Sequence, residues 1–153
     1  MRSSFRNYYH AGLSPITKFN INKGGLHMGG RYSALEAAAR KVREMHSDEK
    51  KTAKIYLHSV SVDESEITND TWDAGSNAFW EVLIQEWQKV GLKGARYKNE
   101  FEPDFRKSII LCCTTPIKEI SKIEVLTLDQ AEGILEDMEQ QCSFTYRGSY
   151  NAG

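Results

Sequence analysis

No stretch of this 153-residue chain is apolar for the length a membrane-spanning helix needs. The opening residues, MRSSFRNYYH, also lack the apolar core of a signal peptide. Both absences point to a cytoplasmic protein, in its own cell or in a host, with no membrane partner. An excess of charge of one sign is missing too. Lys and Arg number 20 against 21 Asp and Glu, so the formal net charge is −1 and no global basic field draws nucleic acid. Cysteine is scarce. Cys112, Cys113 and Cys142 make no disulfide framework, none has zinc-ligand spacing, and the four histidines are scattered, so no metal site is expected. No internal repeat or low-complexity linker divides the chain. What remains is 40% hydrophobic and 27% charged, the profile of one globular domain. We place that domain at residues 1–142, with 143–153 as a flexible tail.

Patterning predicts short strands with helices between some of them, which argues for an α+β fold. Phe5 to His10 reads as a first strand, Ile16 to Ile21 as a second, and Leu26 to Met28 as a third. A helix is expected from about Ala34 to Met45, with Leu35, Ala38, Ala39, Val42 and Met45 on one face. Ser47 to Lys51 reads as a charged loop, Thr52 to Val62 as a strand with a register irregularity, and Asp63 to Asp73 as irregular. Ser76 caps a helix over Asn77 to Val90, whose apolar stripe is Phe79, Leu83, Trp87 and Val90, widened by Trp80 and Ile84. Gly91 stops it. Ala95 to Lys98 is a short strand, Asn99 to Lys107 a polar loop, and Ser108 to Thr114 a continuously apolar central strand. Ile123 to Leu126 precedes a capping box, Thr127 to Gln130, and a last helix.

The stretch GGLHMGGRYSALEAAARK, Gly24 to Lys41, organises the rest. It reads as strand, glycine turn and helix, with Ser33 and Glu36 at the S-x-x-E spacing of a capping box. Glycines let a ligand approach the backbone, and a helix start offers unpaired N–H groups to a nucleotide-like molecule. The same pattern also serves as a plain strand-to-helix connection.

Three motifs then stand in order: Tyr9-His10-Ala11-Gly12, Gly25-Leu26-His27-Met28-Gly29 with Ala37 to Ala39 downstream, and Gly91 to Glu102 followed by Ser108-Ile109-Ile110-Leu111 and Pro116-Ile117-Lys118. Together they resemble the small ADP-ribosyltransferases of the diphtheria-toxin/PARP-like class, in particular compact toxin- and phage-associated members. The corresponding family patterns are Y-H-G followed by T or S, a G-L-H-F-like strand before an Ala-rich helix, and G-x-x-G-x-x-Y-x-N-x-x-E before an S-Y-I-V-F-like strand. The resemblance spans about Tyr8 to Ile120.

The resemblance implies a split β-sheet core with flanking helices, and NAD as substrate. The activity it implies is mono-ADP-ribosyl transfer to a macromolecular acceptor, protein rather than nucleic acid. His10 would bind the ribose hydroxyls and the Ala11 backbone the nicotinamide amide. Gly29 and Ser33 would complete the cofactor site, with Tyr32 as the stacking ring. Glu100 or Glu102 would be the catalytic carboxylate, stabilising an oxocarbenium-like state. The chain departs from the family in three places. Ala11 replaces a glycine, an alanine near Ala38 replaces a stacking tyrosine, and Ser108 stands where relatives carry glutamate. These departures keep two other functions open: a catalytically inactive binding or inhibitor protein, and an NAD glycohydrolase.

Overall fold

The computed structural model describes residues 4–99, 102 and 107–141. Its elements are β1 (Phe5–Gly12), β2 (Leu26–Met28), α1 (Arg31–Arg43), α2 (Ser47–Thr52) and β3 (Ile55–Asp63), then a 3-10 turn at Glu64–Glu66. There follow β4 (Asn69–Thr71), α3 (Asn77–Lys89), β5 (Gly94–Tyr97), β6 (Ser108–Leu111), β7 (Ile117–Leu126) and α4 (Leu128–Gln141). This is a mixed α+β fold with helices flanking a small β core. Among the described residues the strands form a three-stranded sheet, β1-β3-β7, and a four-stranded sheet, β2-β6-β5-β4. All pairings are antiparallel except β4 with β5.

Alternation along the strands builds three cores. Tyr8, Val60 and Val62 of the first sheet meet Leu26, Met28, Ile109 and Leu111 of the second, with Phe19 between them. On the far side of the first sheet, Leu35, Ala38, Ala39 and Val42 of α1 pack on Ile55 and on Ala131 and Leu135 of α4. On the far side of the second, Trp80 and Ile84 of α3 cover Ala95, Tyr97, Ile110 and Cys112. So Ile109, Ile110 and Leu111 of β6 are all apolar because alternate side chains enter two different cores, while Ser108 opens the strand.

Several expectations hold. Thr127 and Gln130 bond reciprocally, Gln130 Oε1 accepting from Thr127 N–H at 2.9 Å and Thr127 Oγ1 accepting from Gln130 N–H at 3.2 Å. Ser76 Oγ accepts from Phe79 N–H at 3.4 Å. The irregularity in β3 is real, with register shifts at Ser59/Val60 and Ser61/Val62.

Other expectations are corrected. Residues 16–21 form no strand; Ile16, Phe19 and Ile21 instead anchor an irregular strap on the first core. The segment expected as a charged loop is α2, with Asp48 and Glu49 in its first turn and Lys50 and Lys51 in its last, a favourable match to the helix dipole. Residues 63–73, expected to be irregular, contain the 3-10 turn and β4. The Ser33–Glu36 capping box does not form. Gly30 is the N-cap, Ser33 already lies inside the helix, and Glu36 pairs forward with Arg43 at 2.9 Å. The stripe on α3 holds in part: Leu83 and Trp87 pack against the core, but its centre lies on the residues expected only to widen it. Trp80 and Ile84 are its buried residues, whereas Phe79 is 65% and Val90 72% exposed. Glu100 and the tail 143–153 lie outside the described residues.

The shifted centre makes a direct test. Ile84→Ala should cost about 2–5 kcal/mol of stability, and Phe79→Ala less than about 0.5 kcal/mol, in chemical denaturation. The reverse ranking would restore the stripe read from the sequence.

Candidate functional site

The two sheets touch at one backbone bridge among the described residues. Tyr9 N–H donates to Gly29 O at 2.7 Å, and Gly29 N–H donates to Tyr9 O at 3.0 Å. Just past this bridge the sheets diverge, and a cleft of about 270 Å³ opens. Its wall takes Tyr9, His10 and Ala11 from β1, Leu26, His27 and Met28 from β2, and Ser33, Ala34, Ala37 and Lys41 from α1. Asn22, Gly25, Gly29, Tyr97, Asn99 and Ser108 complete it.

Strand geometry aims the backbone of β1 into this space. The β1–β3 register runs unbroken from Phe5 to Gly12. Tyr9 turns its N–H and C=O away from β3 toward Gly29, so two residues on, the N–H and C=O of Ala11 face the same way. A peptide donor and acceptor side by side can grip a carboxamide.

His10 closes one side. Its Nδ1 lies 3.0 Å from the carbonyl of His27, which can only accept, so Nδ1 carries the proton and Nε2 is left as an acceptor. Burial lowers the pKa of His10, opposed by the His27 carbonyl and reinforced by His58 and Lys41. His27 is lowered by burial as well, with the Gly24 carbonyl opposing. The Tyr97 hydroxyl lies 2.9 Å from His27 Nδ1, and burial raises its pKa. The phenol stays protonated and hydrogen-bonded to the ring.

Behind the bridge lies a buried polar cluster. Glu102 Oε1 accepts from Gly30 N–H at 2.8 Å, from Ser108 Oγ at 3.2 Å and from Ser33 Oγ. Asn99 Nδ2 donates to Ser108 Oγ at 3.3 Å. Helix α1 has no acidic residue in its own first turn, so Glu102 supplies the negative charge its N-terminus favours. A Cβ at Gly29 would collide with Glu102, Ser33 and Ser108, so only glycine fits where the bridge crosses this cluster.

The structure thus brings together His10, Ala11, Gly29, Ser33 and Glu102. Ser33 and Ser108 line the cleft, and Glu102 stands directly behind their hydroxyls at 6% exposure. Tyr32 is not with them. It is 1% exposed in the α1–α4 core, and its hydroxyl donates to Glu139 at 2.6 Å, so it cannot stack on a ligand. Residue 38 faces that core too, and Ala37 is the alanine on the cleft wall. Tyr9, Tyr97, Asn99 and Asn22 also belong to the wall; the first three stand in the sequence motifs with no role assigned to them there, and Asn22 lies in none of the motifs. Three basic residues, Arg40, Lys41 and Arg43, stand in the last turn of α1; Arg43 is held by Glu36 and Glu132, while Lys41 sits on the cleft.

Among the described residues no group of three His, Cys, Asp or Glu is placed to hold a metal ion, and no helix is long and apolar enough to cross a membrane. Cys112 is buried and its thiol is pushed up to about 11, so it is unreactive as a nucleophile at neutral pH. In comparisons with known proteins, no family model, no curated protein and no solved structure matches the chain.

The two lowered histidines predict a pH dependence. The folded chain favours their neutral forms, so the stability they contribute is complete above the ordinary histidine value of 6.5. It is lost as the pH falls below that value, where the unfolded chain takes up protons first. The melting temperature should therefore drop between about pH 7 and pH 5, and drop less in a His10→Gln/His27→Gln double variant. A double variant with the wild-type slope would contradict this origin.

Proposed function

We propose that the chain is an NAD-dependent mono-ADP-ribosyltransferase of the diphtheria-toxin/PARP-like class, with the split-sheet core of that class. One observation carries the reading. The cleft where the sheets part collects a histidine acceptor, an outward-facing peptide N–H and C=O, a helix face of small residues, a lysine and a nearby carboxylate. Each of these has a counterpart on NAD. The Ala11 peptide suits the nicotinamide amide, and His10 Nε2 suits a ribose hydroxyl. Ala34 and Ala37 leave room for the dinucleotide, and Lys41 suits its pyrophosphate.

In the proposed reaction the bond between ribose C1′ and nicotinamide nitrogen breaks, and nicotinamide leaves with the bonding electrons. Positive charge develops on the ribose and is stabilised by the nearby carboxylate. An acceptor nucleophile then attacks C1′ and gives up its proton to solvent water. Glu102 is the carboxylate that supports this step. Its bond to Ser108 puts an acid next to the position where the resembled family carries glutamate. Glu100 remains the alternative acid. The acceptor is a macromolecule, protein rather than nucleic acid, given the net charge of −1.

A second reading has its own support. The Glu102 carboxylate is buried and holds the start of α1 through Gly30 and Ser33. That arrangement suits a module that binds NAD, or a partner, without turnover.

Labelled NAD added to a host lysate, with nicotinamide release followed for purified protein alone, tests the readings together. Transfer to a macromolecule is expected. Glu102→Gln should lower it by at least about a hundredfold with NAD affinity little changed. Wild-type transfer by a Glu100→Gln/Glu102→Gln double variant would remove the acid assignment. Release without a labelled product would identify a glycohydrolase, and NAD binding without release would identify the inactive binder.

A further inference from the structure

His58 is fully buried in the middle of β3, and both of its ring nitrogens are used. Nδ1 lies 3.0 Å from the carbonyl of His10, so it donates there. Nε2 accepts from the backbone N–H of Ile16 at 2.9 Å. One ring therefore ties two segments together: the end of β1, which carries His10, and the strap of residues 13–25. The strap has no regular secondary structure, so its backbone depends on such outside partners. Phe19 of the strap adds edge contacts to both histidines, with ring centroids 5.5 Å from His10 and 6.1 Å from His58.

From this tie the strap runs to the cleft. At Asn22 it turns sharply. Asn22 Oδ1 accepts from Gly24 N–H and Asn22 O from Gly25 N–H, both at 3.0 Å. Gly25 then takes φ +82°, where an added Cβ would strike Ile110 and Ile84. Asn22, Gly25 and His27 form a wall shared by the cleft and an adjoining cavity, which Lys23, Asn77 and Glu81 help to line. The strap thus enters the site at a set place, and His58 is its polar anchor upstream. An apolar residue at position 58 would satisfy burial but leave the Ile16 N–H without this acceptor.

We propose that His58 is a positioning residue: by tying Ile16 to the end of β1 it holds the strap, and with it Asn22 and His10, in the geometry of the cleft. The role concerns the cleft itself, and only the choice of NAD as its occupant rests on the function proposed above.

Two uncharged substitutions separate the tie from simple packing. In His58→Gln the side-chain amide reaches the place of Nε2 and can accept from Ile16. In His58→Asn the shorter amide can still serve the His10 carbonyl but falls short of Ile16. Hydrogen exchange of residues 13–25 and the titration of His10 by ring NMR are read for each. Neither readout needs a ligand. His58→Asn should raise strap exchange several-fold and move the His10 pKa up toward its ordinary value as burial is lost, with β3 and β7 still protected. His58→Gln should keep the wild-type strap exchange. Both variants lose the lowering that His58 exerts on His10, so the His10 titration is compared between them and should lie higher in His58→Asn. Two variants that behave alike, or a His10 titration no higher in His58→Asn while its strap loosens, would overturn the proposal. If His58→Asn does not fold, the wild-type Ile16 amide decides. It must exchange slowly, and exchange at the rate of an open loop would refute the tie. In a parallel NAD titration, His58→Asn should bind roughly tenfold more weakly than His58→Gln. Equal affinities despite a loosened strap would also count against the role. Absence of NAD binding in wild type would instead strike the proposed function and leave the exchange and titration results to judge His58.

Discussion

Gly29 exchanges two backbone hydrogen bonds with Tyr9, and no side chain can occupy its place because Ser33, Ser108 and Glu102 already fill it. Much of the architecture follows from that crowded point. The bridge fixes where the two sheets touch, and so where they part. The divergence beyond it makes the cleft, and the carboxylate beneath it sets the start of α1. Residues from β1, β2 and α1 reach one wall because all three elements pass within a few residues of Gly29.

The polar groups around this point are arranged by mutual hydrogen bonding. His10 is oriented by the His27 carbonyl, His27 by Tyr97, and Ser33 and Ser108 by Glu102. Such networks hold donors and acceptors in place before a ligand arrives, which lowers the ordering cost of binding. The proposed NAD chemistry uses this preorganisation, since a ribose cation is short-lived and needs its stabilising charge already in position. The depth of Glu102 behind two serines is the feature on which catalysis and mere binding differ.

Local rules were the legible part of this sequence. Thr127 and Gln130 cap α4 through neighbours three residues apart, and the apolar run of β6 declares a strand buried on both faces. The glycine turn before α1 and the place of His10 and Ala11 near the end of the first strand were readable because local pattern sets both. Where long-range contacts decide, the reading failed. Ser33 and Glu36 have capping-box spacing, but their partners are Glu102 and Arg43, from a distant loop and from two turns further along the helix. Helix α3 has apolar residues on more than one side, so periodicity alone could not choose Trp80 and Ile84 over Phe79 and Val90. Tyr32 looked available beside a glycine turn, yet α4, nearly a hundred residues later in the chain, covers it. Nothing local revealed that Lys41 would face the cleft while Arg43 was tied down.

The central claim is that the cleft beside the Tyr9–Gly29 bridge receives NAD with its nicotinamide at Ala11. Backbone amide NMR of the labelled protein, titrated with NAD and separately with nicotinamide, tests it most directly. The account predicts that nicotinamide shifts the amides of His10 to Gly12 and Gly29, and that NAD shifts these together with the residues around Ala37 and Lys41. Shifts confined to α3 or to β7, or none at saturating NAD, would contradict it.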